Sequence, residues 1–278
     1  MPPRLIATDL DGTLLDHEQS LTPRTVAAVR SAVAAGIEFV LVTARPPRTV
    51  AHLAERLGGG IAALCANGTI LAEFGAPREN PDPERQDYVG EMTLIRTFAA
   101  ADAVAIVQQL RPALPEAGFA IETGLEVYFE PAFRIGSVTD LRRILTDNLA
   151  GIAPQMPSIV KVLARSAERS ADEMVALARA ALTVDAEISH SGGRGLLEIA
   201  PRGASKASAL AWLCGRRGIA ASEVAAFGDM PNDLPMLRWA GLGHAVSNAH
   251  ADVLAAADHV VGHHAEDGVA LAIEALLG

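Results

Sequence analysis

The chain has 278 residues, of which 50% are hydrophobic and 20% are charged, and its formal net charge at pH 7 is -10. This length fits one large domain or two of medium size, and the composition is that of a globular protein rather than a disordered one. The acidic balance argues against nucleic acid or an anionic membrane as the main partner, since both attract clusters of lysine and arginine.

The N-terminus and the cysteines indicate a cytoplasmic protein. Asp9 and Asp11 interrupt the first apolar stretch, which argues against a secretory leader. Cys65 and Cys214 both lie in apolar surroundings, so we interpret them as reduced core residues of a cytosolic protein. No run of the sequence approaches the roughly 20 apolar residues of a membrane span, and none is expected.

The first predicted strand, residues 5–8, is almost wholly apolar and ends in two carboxylates. Such a strand is typical of a parallel sheet that is buried on both faces. Asp9 and Asp11 then fall at its carboxyl end, where open α/β sheets bind their ligands, and Gly12 allows the backbone to turn. Two carboxylates this close stay ionised together most easily beside a divalent cation. Solvated acids at an ordinary strand end remain the alternative at this point.

A strand–helix–strand unit follows. Thr22 and Pro23 predict a helix start, Gly36 predicts its end, and residues 37–42 form a second apolar strand that stops before Thr43. A connection of this length predicts parallel strands, so Thr43 is expected at the same sheet edge as Asp9. A short helix at 49–57 and a strand at 61–66, ended by an Asn-Gly turn, come next.

The middle of the chain has a different character. Residues 77–87 read as a polar, proline-rich linker. Beyond it, helices are predicted at 100–111, 139–149 and 170–182, with strands at 119–122, 126–130, 158–163 and 184–190. This block is expected to form a separate domain with an antiparallel sheet and helices on one side.

The first pattern then returns, with strands at 196–200, 224–227, 242–246 and 259–261 and helices at 205–216, 249–256 and 265–277. One domain is therefore interrupted by another. We predict an α/β protein with a Rossmann-like parallel-sheet core, residues 1–84 and 190–278, and an inserted α+β cap domain, residues 85–189. The cap is expected to lie over the sheet edge where the acids collect.

The polar residues expected at that edge fit phosphoryl transfer; they are Asp9, Asp11, Thr43, Lys206, Asp229, Asn232 and Asp233. Catalysis of this reaction consists mainly of positioning and of neutralising charge on phosphate oxygens. A carboxylate serves as nucleophile once a cation cancels its repulsion with the phosphate. Asp9 and Asp229 suit Mg²⁺, and Thr43, Lys206 and Asn232 supply donors for the phosphate oxygens.

These residues also resemble a known family. Asp9-Leu10-Asp11-Gly12-Thr13, the strand end at Thr43, the isolated Lys206 and Gly228-Asp229-x-x-Asn232-Asp233 are similar, in order and spacing, to the four motifs of the haloacid dehalogenase superfamily. The Asn67-Gly68 turn, residues 198–206, Ser247-Asn248-Ala249 and Glu266-Asp267-Gly268 resemble its Cof-type phosphatase branch, subclass IIB, which has a large α/β cap. Over the cap, the likeness is one of position and size only.

The resemblance implies a role for each matching residue. Asp9 would be the nucleophile, and Asp11 the acid that protonates the leaving oxygen and then the base that activates water. The Asp9 carboxylate, the Asp11 backbone carbonyl and Asp229 would hold Mg²⁺, with Asp233 in support. The implied phosphate contacts are the Leu10 and Asp11 amides, Thr43, the Ala44 backbone, Lys206 and Asn232. Ala44 replaces the commoner glycine of the family.

These inferences favour a Mg²⁺-dependent phosphatase that acts on small phosphorylated metabolites, sugar phosphates above all, through an aspartyl phosphate. A phosphotransferase or mutase on the same scaffold is the first alternative, and a non-catalytic phosphate-binding protein is the second. Arg45 is either a supporting substrate-binding residue or a plain surface arginine. The protein is expected to be a monomer or a small homo-oligomer.

Overall fold

The computed structural model of the chain describes residues 2–75, 90–133, 142–191 and 195–278. The strands, in chain order, are β1 (Leu5–Thr8), β2 (Glu38–Val42), β3 (Ala62–Cys65), β4 (Ile70–Glu73), β5 (Glu91–Leu94), β6 (Gly118–Glu122), β7 (Val127–Phe129), β8 (Arg143–Leu145), β9 (Lys161–Arg165), β10 (Ala186–Ser189), β11 (Leu196–Pro201), β12 (Val224–Gly228), β13 (Leu242–Val246) and β14 (His259–Val261). The α-helices are α1 (Pro23–Ala34), α2 (Ala51–Leu57), α3 (Ala100–Ala113), α4 (Leu149–Ile152), α5 (Ala171–Ala181), α6 (Lys206–Arg217), α7 (Leu234–Trp239), α8 (Ala251–Ala256) and α9 (Gly268–Leu277).

The first sheet has the strand order β14-β13-β12-β1-β2-β3-β4-β5 within the described part of the chain. The strands from β14 to β3 are parallel, which confirms the predicted α/β core, and β4 and β5 add an antiparallel edge. Strand β1 lies at the centre, between β12 and β2, and its first three side chains have no exposure to solvent. Because both faces are covered, the apolar run of β1 forms a strand without alternation.

The second sheet has the order β10-β11-β9-β6-β7-β8 among the described residues, and all of its pairs are antiparallel except β7 with β8. Helices α3 and α5 cover one face of it, with a core that includes Ile106, Leu110, Phe119, Val162 and Met174. The inserted antiparallel unit that the sequence predicts is therefore present. The boundaries at 84/85 and 189/190 stay a prediction.

Strand β11 lies in the second sheet, so the prediction that residues 196–200 belong to the parallel core is wrong. It pairs antiparallel with β10 and with β9. Residues 190–195 alone connect β10 to β11. A parallel crossover needs about a dozen residues or more, so a connection this short requires an antiparallel neighbour. The chain therefore returns to the first sheet only after β11.

The helix predicted at 139–149 is wrong for its described residues. Arg143–Leu145 is strand β8, which pairs in parallel with β7, and residues 139–141 lie outside the described part. The next helix, α4, begins only after Asn148, whose side chain accepts a hydrogen bond from the backbone N–H of Gly151. This N-cap fixes a later helix start, and pairing with β7 outweighs the helix propensity of Arg143 and Leu145.

Two strands of the first sheet were missed. The chain reverses at Asn67-Gly68 and β4 pairs with β3, with Cys65 opposite Ile70. An Asn-Gly pair between two apolar runs is a hairpin signal, so the sequence contained the evidence for this turn. Strand β5 then pairs with β4. The predicted linker at 77–87 lies outside the described residues.

Both cysteines are free and buried, as predicted, and burial raises the pKa of each thiol, that of Cys214 to about 11. Among the described residues, none of the helices has the length and apolarity needed to cross a membrane.

Gly68→Ala is expected to destabilise the fold. Gly68 has a φ of +85°, and a Cβ at this position would lie 2.4 Å from the carbonyl oxygen of Ser205, at the start of α6. Backbone must move to admit it, so we expect a loss of about 2 kcal/mol or more in the free energy of unfolding, measured by urea denaturation. Gly215→Ala is the matched control, since its Cβ meets nothing within 4 Å. It should be neutral or stabilising by up to about 1 kcal/mol, and equal losses in both variants would contradict the steric argument.

Candidate active site

Strand β1 delivers Asp9 to the carboxyl edge of the first sheet. The backbone N–H of Asp9 donates to Phe227 O at 3.0 Å and so extends the ladder with β12 by one residue. Asp9 is 5% exposed. Burial raises its pKa well above the usual value, Lys206 opposes the shift, and neighbouring carboxylates add to it. Asp9 is thus a buried acid that needs positive charge nearby to stay ionised.

The turn after Asp9 is built against Asp229. Gly12 has a φ of +75°, and a Cβ there would lie 2.5 Å from Asp229 Oδ2. The hydroxyl of Thr13 donates to Asp229 Oδ1 at 2.9 Å, and the amide of Asn248 donates to Gly12 O at 2.8 Å. Only glycine permits both this backbone conformation and this close approach. The turn therefore fixes Asp229 beside the first acidic motif.

Lys206 is the cation of the site. It occupies the first position of α6, after the N-cap Ser205, and its Nζ donates to Asp9 Oδ1 at 2.7 Å and to Asp233 Oδ1 at 2.6 Å. The residue is 2% exposed. Burial alone would lower the pKa of Lys206, but the carboxylates of Asp233 and Asp9 outweigh burial and raise it. The ammonium group therefore stays charged.

The acidic cluster has more negative charge than Lys206 balances. Asp9, Asp229 and Asp233 are all buried, and each offers one carboxylate oxygen within 4.8 Å of the others. Burial first, and then the carboxylate of Asp233, raise the pKa of Asp229 to about 6. A divalent cation with oxygen ligands would relieve this imbalance, so the donor set fits Mg²⁺.

Within this cluster, Asp233 is already occupied. Its Oδ1 accepts from Lys206, and its Oδ2 accepts from the backbone N–H groups of Asp229 and Met230, at 3.1 and 3.0 Å. These bonds hold the segment after β12 in place. Asp9 and Asp229 each accept fewer of the described side-chain and backbone bonds, so their carboxylates are more open to a metal. The supporting role that the resemblance implies for Asp233 stays a prediction.

The predicted phosphate contacts lie around the same point. Thr43 has no exposure to solvent, and its backbone N–H extends β2 by donating to Leu64 O at 2.9 Å. Leu10 is fully buried in the turn that follows Asp9. Asn232 comes directly before Asp233, and its Oδ1 has no hydrogen-bond partner among the described residues. The strand ends and helix starts thus bring these residues to one edge, and their roles toward phosphate stay a prediction.

Arg45 binds Asp11, which the sequence did not predict. Its Nε donates to Asp11 Oδ2 at 2.7 Å and one terminal nitrogen donates to Asp11 Oδ1 at 2.5 Å. Gln19 accepts a further bond from Arg45. Both oxygens of the Asp11 carboxylate are therefore bound by Arg45. Arg45 is therefore a partner of a site residue and not a plain surface arginine.

A buried polar group from the second sheet adjoins the site and was not assigned a role from the sequence. Lys161 donates to Glu198 Oε2 at 2.7 Å and to the backbone oxygen of Ala44 at 2.8 Å. The amide of Asn67 also donates to Glu198 Oε2, at 2.6 Å. The sequence contained a signal for this buried ion pair, namely a single lysine within the apolar run 159–163. A charge in such a run is buried only together with a partner of opposite charge.

A cleft of about 360 Å³ reaches the site between the two sheets. Lys206 and Asn232 line its inner end, and His190 and Arg179 line the wall that belongs to the inserted unit. His190 Nε2 lies 3.0 Å from Asp172 Oδ1. The cleft gives a small molecule access to the residues predicted to contact phosphate.

A family model described as haloacid dehalogenase-like hydrolase matches residues 6–273 of this chain. Two similar proteins of Escherichia coli strain K12 are phosphatases. The pyridoxal phosphate phosphatase YbhA is 30% identical over 97% of this chain and 97% of its own length. The 5-amino-6-(5-phospho-D-ribitylamino)uracil phosphatase YbjI is 27% identical over 99% of this chain and 96% of its own length.

Solved structures share the fold. SMU.1108c from Streptococcus mutans superimposes with a TM-score of 0.81 at 21% identity, over 99% of each chain. The subclass IIB sugar phosphatase BT4131 superimposes with a TM-score of 0.76 at 20% identity, over 98% of each chain.

Asp229→Asn is expected to stabilise the metal-free protein at pH 7. Because the pKa of Asp229 is raised to about 6 in the folded state, its ionisation costs stability, and this cost grows as the pH rises from about 4 to about 6. Asparagine still accepts the bond from Thr13 without the charge. We expect a gain on the order of 2 kcal/mol at pH 7 in EDTA, and roughly a third of that gain at pH 4.5, by urea unfolding.

The control is Asp252→Asn, at an exposed aspartate, which should leave the free energy of unfolding unchanged at both pH values. Added Mg²⁺ should raise the free energy of unfolding of the wild type at pH 7 and leave that of Asp229→Asn almost unchanged. A variant that is less stable than the wild type at pH 7, or that responds to Mg²⁺ equally, would contradict the assignment of excess negative charge to Asp229.

Proposed function

The chain belongs to the haloacid dehalogenase-like hydrolases, in their Cof-type phosphatase branch, and from this premise we propose that it is a Mg²⁺-dependent phosphatase of small phosphorylated metabolites. Sugar phosphates are the substrate class we propose first. The observation that carries the proposal is the position of Asp9, a buried carboxylate at a strand end, bound to Lys206 at 2.7 Å and within reach of Asp229. This arrangement supports a nucleophile whose charge is balanced at the moment of attack.

In the first step, an oxygen of Asp9 attacks phosphorus, and the bond from phosphorus to the ester oxygen breaks. Asp11 gives its proton to that oxygen, so the alcohol leaves neutral and the phosphoryl group stays on Asp9 as an aspartyl phosphate. In the second step, Asp11 takes a proton from water, the resulting hydroxide attacks phosphorus, and inorganic phosphate leaves with Asp9 regenerated. Atoms and charges balance over the two steps.

The cation supplies charge neutralisation when it is bound. Asp9, Asp229 and the backbone carbonyl of Asp11 would hold it, and Asp233 would support them. Thr43, Ala44, Lys206, Asn232 and the Leu10 amide would contact the phosphate oxygens. Lys206 contributes through its bond to Asp9, which holds the nucleophile in place while its charge offsets that of the incoming phosphate.

Arg45 has a further part in this proposal. It binds the Asp11 carboxylate on both oxygens. A substrate oxygen near Arg45 would offer a second anion to the guanidinium and so release Asp11 to accept the proton that it needs as an acid. Arg45 is thereby a supporting residue. The two buried free thiols fit a reducing compartment, and we propose that the enzyme works in the cytoplasm.

The proposed activity is tested by phosphate release from sugar phosphates, nucleotides, phosphorylated cofactors and an aryl phosphate, each with Mg²⁺ and with EDTA. Release that depends on Mg²⁺ is expected, and the best substrate identifies what the cleft admits. Formation of a phosphorylated acceptor in place of free phosphate would favour the phosphotransferase. No release from any compound by a folded protein that binds phosphate would favour a binding protein.

Asp9→Asn should lower kcat by about a thousandfold or more, because the amide oxygen is a poor nucleophile and forms no acyl phosphate. The fold should persist, since asparagine fills the same volume and loses only an excess negative charge. Steady-state kinetics with the best substrate measures the effect, and circular dichroism checks the fold. Asp185→Asn, at an exposed ion pair with Arg202, serves as the control. More than a few per cent of wild-type activity in Asp9→Asn would eliminate Asp9 as nucleophile.

A further inference from the structure

The turn at Ala66-Asn67-Gly68 touches several segments of the proposed phosphate site. The backbone N–H of Ala66 donates to Arg45 O, at 2.9 Å, and that of Asn67 donates to Thr43 O, at 3.0 Å. On its other side, Gly68 packs so closely on Ser205, which precedes Lys206, that no Cβ fits. The turn is therefore bonded to the end of β2 and packed on the start of α6.

The backbone of this turn is strained. Ala66 and Asn67 have φ values of +51° and +58°, in the left-handed region that residues other than glycine seldom adopt. Such conformations cost stability and persist where the surroundings hold them, which is frequent at functional sites. Asn67 is 4% exposed, and its side chain reaches Glu198 on strand β11 of the second sheet.

The Asn67 amide connects Glu198 to Asn232. Its Nδ2 donates to Glu198 Oε2 at 2.6 Å, and its Oδ1 accepts a longer bond from Asn232 Nδ2 at 3.4 Å. A carboxylate accepts hydrogen bonds and cannot donate them. Glu198 therefore fixes which end of the Asn67 amide faces it, and Asn67 in turn requires that Asn232 present its nitrogen.

Glu198 is itself held in place by its neighbours. It is 2% exposed, and it accepts bonds from Lys161, Asn67 and the hydroxyl of Ser191. Burial alone would raise its pKa, but Lys161 and the other donors outweigh burial and lower it, so Glu198 stays a carboxylate. Lys161 also reaches Ala44 O at 2.8 Å. One buried ion pair of the second sheet thus contacts Ala44 directly and reaches Asn232 through Asn67.

We propose that Asn67 is a positioning residue, through which the Lys161–Glu198 pair of the second sheet orients the Asn232 amide for phosphate. The proposal rests on the proposed function of Asn232. When the second sheet is packed on the core, Glu198 fixes the orientation of the Asn67 amide, and Asn67 fixes that of the Asn232 amide. The second N–H of Asn232 is then available for a phosphate oxygen. When Glu198 is withdrawn, both amides are free to rotate, and Asn232 presents nitrogen or oxygen with no preference. The phosphate site is then complete only when the inserted unit is closed on the core.

Asn67→Gly is the sharpest test, because glycine adopts the left-handed backbone without strain while the amide is lost. The probe is inorganic phosphate, titrated calorimetrically in excess Mg²⁺, so no turnover is needed. We expect the dissociation constant for phosphate to rise about tenfold. The dissociation constant for Mg²⁺ in the absence of phosphate and the thermal unfolding midpoint should stay near wild-type values, which a merely structural role would not produce.

Two glutamine variants separate orientation from packing. Glu198→Gln keeps the shape but lets the amide order reverse, so phosphate binding should weaken by about threefold to tenfold. Glu122→Gln is the control. Glu122 forms a buried ion pair with Arg48, at 2.6 and 2.8 Å, that also joins the second sheet to the core. Both residues of this pair also form hydrogen bonds with the backbone of Gly124. The Glu122→Gln variant should lower the unfolding midpoint and change the phosphate dissociation constant less than twofold.

The outcomes are distinguishable. If the wild type binds phosphate and Asn67→Gly binds it with the same dissociation constant, the positioning role is overturned and the proposed function is not. Equal weakening by Glu122→Gln and Glu198→Gln would show that loosened packing is the cause and would also overturn it. A wild type that binds no phosphate at all would overturn the proposed function and the positioning role together.

Discussion

The ammonium group of Lys206 lies between the carboxylates of Asp9 and Asp233, 2.7 and 2.6 Å from their oxygens, in a region almost closed to solvent. A buried charge of either sign is stable only when it is paired. Three chain segments that are far apart in sequence, the end of β1, the start of α6 and the loop after β12, must therefore meet before any of these charges can be buried. The parallel sheet and its short connections bring them to that point.

The pairing is incomplete, and this incompleteness is what makes the site chemically useful. One ammonium does not balance three carboxylates, so burial and mutual repulsion raise the pKa of Asp9 and Asp229. An added cation would offset this excess charge, and the proposed function assigns that part to Mg²⁺. Strained or unbalanced groups of this kind are typical of functional sites and are tolerated where the surrounding structure is well packed.

The second sheet is joined to the core by charged side chains as well as by apolar ones. Arg48 with Glu122, and Lys161 with Glu198, are ion pairs whose side chains are all 5% exposed or less. Removing both charges of a pair from water is costly, so such contacts contribute little net stability, but leaving either partner unpaired is costlier still. These ion pairs favour one orientation of the inserted unit on the core over others. The Lys161 pair acts close to the site, because Lys161 also bonds the backbone oxygen of Ala44.

The parallel core, the inserted antiparallel unit and the polar groups at one sheet edge are all visible in the amino-acid sequence, because apolar runs that end at Asp9, Thr43 and Asp229 have a local signature. Where local signals are weak, the predictions are wrong: β11 belongs to the second sheet, and Arg143–Leu145 forms a strand and not a helix. Pairing partners are set by the whole fold, since the same residues form a helix or a strand according to what lies beside them. The bond of Arg45 to Asp11, and the place of Asn67 between Glu198 and Asn232, are visible only in the folded protein. Those contacts join residues that are distant in sequence, and side-chain hydrogen bonds between them leave no periodicity for a pattern to reveal.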